Sequence, residues 1–427
     1  MNRKIAYSTL LFIILMSAFA YIFISPTSQP YLTVVGPVLK ADGLGRHALE
    51  LIDALKDDLQ IGFKPVNPFC LDGIPKNIKK ILTKKRPLGK VLVYQGYLIV
   101  EGVPLDRSIK GLKNETCLRI AQSMFESSLI PSEWVHILNH YFDAVFVPDK
   151  FLIDVYKNSG VTIPVFEIPL AIDLQKFYEL PLKTTKNSPM VFANLSTALP
   201  RKNQVKLIKA FHQAFGNSPE VQLRLNARAS EPACLKAIKE EITQLGATNI
   251  IFTEEALKEK PYLNLFKSID CYVSLSLGEG FSIQPREAMA LGIPTIVTDN
   301  TGQSTICTSG LVRKVQSPYA LPAFYQLFNS YHGVSYDCSL EDATLALRDV
   351  YENYDSYLKQ GPSAREWTKQ CSFDHLKSLY LGLIKPKKIV LGSINKVTPD
   401  CLFTDSEELC EKFSRLAGIP FEDRRRP

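Results

Sequence analysis

The chain has 427 residues, a formal net charge of +7 and nine cysteines. Its hydrophobic fraction of 46% and charged fraction of 22% are typical of folded globular proteins and exclude a largely disordered chain. The cysteines form no C-x-x-C pair and the six histidines are scattered, so we expect neither a metal site nor a dense disulfide framework. Because the basic residues lack interleaved aromatic side chains, we also expect no nucleic-acid partner.

The N-terminal segment is predicted to associate with a membrane. Residues 5–24 are uncharged and nearly all apolar, and Arg3 and Lys4 precede them. This is the length that a helix needs to cross a bilayer, so we predict a single-pass anchor in residues 1–26. A cleaved signal peptide is the alternative, because the segment at 18–20 resembles a cleavage site. The charge bias predicts a type II protein with a luminal body in a eukaryote. In a bacterium, we expect the body on the cytosolic face of the inner membrane.

Residues 31–175 are predicted to form a first α/β domain. A strand is expected at 31–36, and the loop after it carries Gly43, Gly45 and Arg46 at the start of a helix. Glycine lets a backbone approach a ligand closely, and the free N–H groups of a helix N-terminus favour an anion. The pattern predicts a ligand contact, with an ordinary strand-to-helix turn as the alternative.

Strand and helix patterns continue to alternate through this domain, which is typical of a parallel, doubly wound sheet. Glu126 follows a predicted strand at 118–123. Since open α/β sheets bind ligands at the carboxyl ends of their strands, Glu126 is a candidate cleft residue.

A second α/β series begins after a polar, lysine-rich hinge and occupies residues 190–365. Its first strand is predicted at 190–194, and Arg201 and Lys202 lie on the loop that follows. Adjacent cations at this end of a sheet are placed to bind a diphosphate. A solvated pair of basic residues is the alternative interpretation.

One strand–helix–strand step in this series, at 270–298, carries two carboxylates. Glu279 lies on the turn that leaves the strand, and Glu287 lies on the helix that follows. Between them, the segment of Gly280, Phe281, Ser282 and Ile283 forms the predicted start of the helix, which favours phosphate. Acids on either side of a bound diphosphate would hold the hydroxyl groups of a nucleotide-sugar.

Two matched domains joined by a hinge predict the fold class: two Rossmann-like, doubly wound α/β domains facing each other across a cleft. A helix at 366–384 is expected to cross back to the first domain. The tail at 385–427 carries no pattern to which we assign a role.

The segment 279–294, EGFSIQPREAMALGIP, resembles the E-x7-E signature and following helix and turn of a known family. This is glycosyltransferase family 4, the retaining GT-B sugar transferases of group 1. The residues at 201–203, 43–46 and 147–169 also resemble that family, and the resemblance covers residues 31 to 385.

The resemblance implies a role for each candidate residue. Glu279 would contact the hydroxyl groups of the donor sugar, and Glu287 those of the ribose. The amides from Gly280 to Ile283 and the cations at Arg201 and Lys202 would hold the diphosphate. The Gly43, Gly45 and Arg46 loop would close on the donor from the opposite wall, with Glu126 as the candidate catalytic residue of the first domain.

Two positions depart from the family pattern. The usual arginine of the phosphate loop would fall near Asn194, and a first-domain histidine is replaced by the Met124, Phe125 and Glu126 segment. The chain also has no Asp-x-Asp sequence, so a metal-independent reaction without a cofactor is expected.

The sequence therefore predicts a membrane-anchored, retaining glycosyltransferase. It would move a sugar from a UDP- or GDP-sugar donor to a hydroxyl group of a glycan, lipid or protein-linked sugar. A non-catalytic scaffold that binds a nucleotide-sugar or a protein partner is the alternative.

Overall fold

The computed structural model describes residues 29–39, 43–96, 98–100, 103–104, 117–227, 231–391, 401–404, 406–417 and 419–423. The predicted membrane segment at 1–26 lies outside these ranges. Within them, no helix has the length and apolar character that a membrane span requires.

The first domain contains a six-stranded parallel sheet. Its strands are β1 (Leu32–Val38), β2 (Ile61–Phe69), β3 (Val91–Gln95), β6 (Leu118–Gln122), β7 (Ala144–Val147) and β8 (Val165–Glu167), with a short antiparallel pair, β4 (Ile99–Val100) and β5 (Val103–Pro104), between β3 and β6 in the sequence. The spatial order is β2-β1-β3-β6-β7-β8. The main helices are α1 (Gly43–Leu55), α2 (Lys76–Thr83), α3 (Ser132–Tyr141) and α4 (Phe151–Asn158).

The second domain repeats this plan. A short helix, α5 (Gln175–Tyr178), precedes the strands β9 (Met190–Asn194), β10 (Val221–Asn226), β11 (Ile250–Thr253), β12 (Cys271–Ser274), β13 (Thr295–Asp299) and β14 (Arg313–Gln316). These are parallel, in the order β11-β10-β9-β12-β13-β14. The helices are α6 (Gln204–Phe215), α7 (Pro232–Gln244), α8 (Glu259–Lys267), α9 (Ile283–Ala290) and α10 (Thr301–Cys307). The predicted fold class of two Rossmann-like domains is confirmed.

The central strands are hydrophobic because helices cover both faces of each sheet. Every residue of β1, β3, β6 and β9 is buried. Such strands read as continuous apolar runs rather than alternating ones, which is the pattern that the sequence shows.

The two domains are packed together by the segment that links them. Leu170, Ile172 and Phe177 belong to a buried cluster with Val191 and Phe281 of the second domain. The end of the predicted first domain therefore contributes apolar side chains to the packing between the two domains.

Three further elements join the domains. A hairpin of β15 (Tyr319–Tyr325) and β16 (Ser330–Asp337) leaves the second domain, and Tyr325 and Phe328 pack against Phe125 of the first. Helices α11 (Leu340–Glu352), α12 (Tyr354–Lys359) and α13 (Gly361–Thr368) follow. Helix α14 (Phe373–Ile384) then returns to the first domain, where Leu376 and Tyr380 lie in its core.

The tail also packs on the first domain. It forms β17 (Lys388–Leu391), β18 (Cys401–Thr404), α15 (Glu407–Ala417) and β19 (Phe421–Asp423). The three strands make a small parallel sheet, and Cys410 and Phe413 are buried in the first-domain core. The described part of the tail therefore extends the first domain.

Candidate functional site

A cavity of about 350 Å³ lies between the two domains, at the carboxyl ends of their strands. In each sheet, the chain reverses its direction of strand addition beside the first strand. Such a reversal opens a crevice, where open α/β sheets bind ligands. Of the predicted site residues, nine line this cavity: Arg46, Glu126, Arg201, Lys202, Glu279, Gly280, Phe281, Ser282 and Ile283.

The second-domain wall of the cavity is the turn from β12 into α9. Ser282 precedes the helix with a φ of 68°, a left-handed conformation that costs energy for a residue other than glycine. No side chain of the described residues caps this helix. Its first N–H groups are therefore available to an anion in the cavity.

The turn is held in shape by Arg286, which sequence analysis did not single out as a site residue. Its side chain is 1% exposed, and its guanidinium donates to the carbonyl oxygens of Phe281 and, at 3.0 Å, Ser282. It also stacks 3.8 Å from the centre of the Phe281 ring. Because a buried guanidinium binds both carbonyls, the turn is rigid without a bound ligand.

Glu279 is the most strongly bound carboxylate of the site. It accepts hydrogen bonds from Lys202, from Arg201 at 3.0 Å and from Ser276 at 2.6 Å. Burial alone would raise its pKa, but Lys202 and Arg201 outweigh burial and lower the pKa of Glu279 to about 2. Glu279 is therefore ionised at neutral pH.

Arg201 joins the two domains. One of its terminal nitrogens binds Glu279, and the other lies 3.0 Å from Glu126 Oε1 of the first domain. The same side chain donates to the Gly278 carbonyl at 3.1 Å. The sequence-predicted residues Glu126, Arg201 and Glu279 are thus brought into one ion-pair network.

Glu287, which the resemblance assigns to the ribose, is held between the two domains. It is fully buried and lies outside the cavity lining, between Arg46 Nη2 at 3.0 Å and the Tyr262 hydroxyl at 2.6 Å. Arg46 also donates to Glu50 at 2.8 Å. Arg46 belongs to the first domain and Glu287 to the second, so this is a second ion pair across the interface.

The glycines of the two predicted loops make close backbone contacts. A side chain at Gly45 would collide with the Leu39 backbone, and Gly45 is not among the lining residues of the described chain. A Cβ atom at Gly278 would lie 2.0 Å from the Glu126 carbonyl oxygen, and one at Gly280 would lie 3.2 Å from the Met124 side chain. The second-domain turn can therefore approach the first domain only because these residues are glycines.

The first-domain wall carries a polar cluster that sequence analysis missed. Gln95 and Gln122 are the last residues of β3 and β6 and are paired neighbours in the sheet. Both side chains lie against His47 of α1, and all three residues line the cavity. The sequence did contain one signal for this cluster: each glutamine is a polar residue at the end of a buried apolar strand.

Residues 181–319 match the family model described as glycosyl transferases group 1. This match covers about a third of the chain and includes Arg201, Lys202, Glu279 and Glu287. A search of curated protein sequences gave no significant match.

Solved structures share the fold. A glycosyltransferase from Rickettsia africae aligns with a TM-score of 0.62 at 15% identity, over 84% of this chain and 98% of that one. HepE of Anabaena, solved in complex with UDP, aligns with a TM-score of 0.58 at 14% identity, over 83% and 99% of the chains. The N-terminal domain of the trehalose-6-phosphate phosphatase of Candida albicans aligns with a TM-score of 0.55 at 11% identity, over 83% and 96%. At these identities the likeness shows the two-domain fold, and the chemistry must be argued from the site.

Proposed function

We propose that the protein is a glycosyltransferase that moves a sugar from a nucleoside-diphosphate-sugar to a hydroxyl group of an acceptor. The observation that carries this proposal is the second-domain wall. An uncapped helix N-terminus, two cations and a buried, ionised carboxylate meet there in a cleft between two domains.

The reaction releases negative charge at the diphosphate when the bond between sugar and phosphate breaks. The N–H groups at the start of α9 and the cations Arg201 and Lys202 are fixed before the substrate arrives, so they stabilise the departing nucleotide without reorganisation. Glu279, held by those cations, is placed to accept hydrogen bonds from the hydroxyl groups of the donor sugar. UDP is the first nucleotide to test, because HepE of Anabaena was solved with UDP.

Three finer features are part of the proposal. Retention of configuration is inferred from the resemblance of the 279–294 segment. Metal independence is supported by the missing Asp-x-Asp sequence and by the two cations of the cleft. Attachment to a membrane rests on the apolar segment at 5–24. The anomeric signal of the product in an NMR spectrum, activity in the presence of EDTA and a protease-protection assay on sealed membranes test these features in turn.

A non-catalytic scaffold is the second candidate, since folding alone would preserve much of this wall. Calorimetry with UDP and an assay of nucleotide release, run on the same purified full-length protein, separate the two. We expect UDP to bind and several UDP- or GDP-sugars to be turned over. Binding of UDP with no release from any sugar of the panel would favour the scaffold.

A further inference from the structure

The cluster of His47, Gln95 and Gln122 on the first-domain wall has no role in the donor chemistry described above. The three residues are 3%, 1% and 6% exposed and come from three elements, α1, β3 and β6. They face the cavity from the side opposite the helix N-terminus that is proposed to bind the diphosphate. This position is open to the second substrate.

Polar contacts join the three side chains, and one polar atom of Gln95 is left without a partner among the described residues. Gln95 Nε2 donates to Gln122 Oε1 and lies 3.1 Å from His47 Nδ1, while Gln122 Nε2 lies 3.3 Å from His47 Nε2. Tyr380 of the returning helix approaches the same His47 nitrogen at 3.5 Å. Gln95 Oε1 is buried and has no hydrogen-bond partner among the described residues.

This atom points to a ligand. A buried amide oxygen without a partner is unfavourable, and proteins rarely keep one without a reason. Exchanging the oxygen and nitrogen of the Gln95 amide would leave an NH₂ group unpaired in the same place. In either orientation, one polar group of Gln95 is satisfied only when something with a hydrogen-bonding group enters the cavity.

The charge of the wall limits what can enter. Burial and the neighbouring Arg46 lower the pKa of His47 to about 3, so its ring is neutral at physiological pH. Among the described residues, the first domain contributes one cation to the cavity lining, Arg46, and it is already paired with Glu50 and Glu287. A carboxylate or phosphate on the acceptor would therefore meet no unpaired positive charge among the described residues of the first-domain wall. A hydroxyl group, which both donates and accepts, matches two carboxamides and a neutral imidazole.

We propose that Gln95, supported by Gln122 and His47, binds the acceptor, and that the acceptor presents an uncharged sugar there. The inference rests on the proposed function. In the transfer, the acceptor oxygen bonds to the anomeric carbon as the bond from that carbon to the phosphate oxygen breaks. The nucleoside diphosphate leaves with the electron pair, and the hydroxyl proton passes to it. Gln95 acts here as a specificity residue, because it distinguishes acceptors by charge and hydrogen bonding.

Methyl glucoside and methyl glucuronide test the charge requirement, because they differ only in a neutral or anionic group at C6. We measure their binding to the UDP-loaded full-length protein by saturation-transfer NMR. Methyl glucoside is expected to bind and methyl glucuronide is not. Equal binding of the two compounds, or binding of the glucuronide alone, would overturn the proposal.

The variant Gln95→Met keeps the size of the side chain and removes its hydrogen bonds. We expect it to weaken methyl glucoside binding about tenfold, the loss typical of one hydrogen bond, with unchanged affinity for UDP. Gln95→Asn, which keeps the amide but shortens its reach, should give a similar loss and serves if the first variant does not fold. Gln244→Met, on an exposed face of α7, is the matched control and should bind like wild type.

The two proposals fail separately. Failure of the wild-type protein to release nucleotide from any nucleotide-sugar would contradict the transferase function, whatever the sugar-binding result. Wild-type nucleotide release together with unchanged methyl glucoside binding by Gln95→Met and Gln95→Asn would contradict the acceptor inference alone.

Discussion

The charge state of a buried residue in the cavity depends on whether a partner of opposite charge lies beside it. Glu279 is as buried as His47, yet the two groups respond to burial in opposite ways. Two cations hold Glu279 in its charged form, and the pKa of this carboxyl falls to about 2. Burial and the neighbouring Arg46 lower the pKa of His47, and its hydrogen-bonding neighbours among the described residues are uncharged, so it stays neutral.

The depressed pKa of His47 predicts a pH-dependent stability. His47 titrates near 6.5 when unfolded and near 3 when folded, so below pH 6.5 the unfolded chain binds a proton that the folded protein does not. The stability due to a neutral His47 is present above pH 6.5 and is lost as the pH falls toward 3. Between pH 7.5 and 5.5, the unfolding free energy of wild type should drop by about 1.4 kcal/mol more than that of His47→Gln.

Urea unfolding of both proteins at the two pH values measures this difference, and every other titrating group is common to both. Parallel pH profiles for wild type and His47→Gln would show that folding does not lower the pKa of His47. That result would also remove the argument for a neutral first-domain wall.

At the scale of elements, the strand–helix–strand step at 270–298 was predicted well from sequence. The expected helix and second strand correspond to Ile283–Ala290 and Thr295–Asp299. Local signals decide such a step, because glycines, a proline and an apolar run mark its boundaries. The hairpin at 319–337 was missed; its two strands are joined by a turn in which Asn329 adopts the left-handed conformation.

The sequence did not predict which side chains of different elements contact each other. Gln95 and Gln122 were not singled out from the sequence, and only the register of β3 on β6 shows that they are neighbours. Similarly, Glu287 was assigned to the ribose by resemblance to a family motif. The structure places Arg46 of the first domain on Glu287, which depends on how the domains pack.

The turn of β12 into α9 predicts a graded effect of two glycine substitutions. In Gly278→Ala, the new methyl group would lie 2.0 Å from a backbone oxygen of Glu126, which cannot move without displacing the first domain. In Gly280→Ala, it would lie 3.2 Å from the flexible side chain of Met124, which can adjust. We expect Gly278→Ala to lower nucleotide release on the order of 100-fold by misplacing the wall, and Gly280→Ala to have a smaller effect.

Small-angle X-ray scattering on the same variants checks the cause. Gly278→Ala should show a larger radius of gyration than wild type, and Gly280→Ala should not. Wild-type activity and wild-type dimensions for Gly278→Ala would mean that the turn and the first domain are not in contact in solution.

At the scale of the whole molecule, the cleft is closed by contacts on several sides. Two ion pairs, Arg46 with Glu287 and Arg201 with Glu126, cross the interface, and the 319–337 hairpin spans it through the aromatic residues around Phe125. The returning helix Phe373–Ile384 binds the end of the second domain back to the first. The cavity therefore exists only when both domains are packed.

The Arg46–Glu287 pair should be costly to break. Glu287 is fully buried, so Arg46→Met would leave its charge with Tyr262 as the remaining hydrogen-bond partner shown. We expect a destabilisation of about 3 kcal/mol in urea unfolding. The double variant Arg46→Met/Glu287→Met removes both charges and should be less destabilised than the sum of the single variants. Additive effects in this cycle would show that the two side chains do not interact.

Release of nucleotide from a panel of UDP- and GDP-sugars by the full-length protein tests the central claim most directly. We predict turnover of at least one donor by wild type, a loss of about 100-fold or more in Glu279→Gln, and wild-type rates in Glu240→Gln, which changes an exposed carboxylate. Equal, slow release by wild type and Glu279→Gln across the whole panel would contradict the proposal that this cleft transfers sugars.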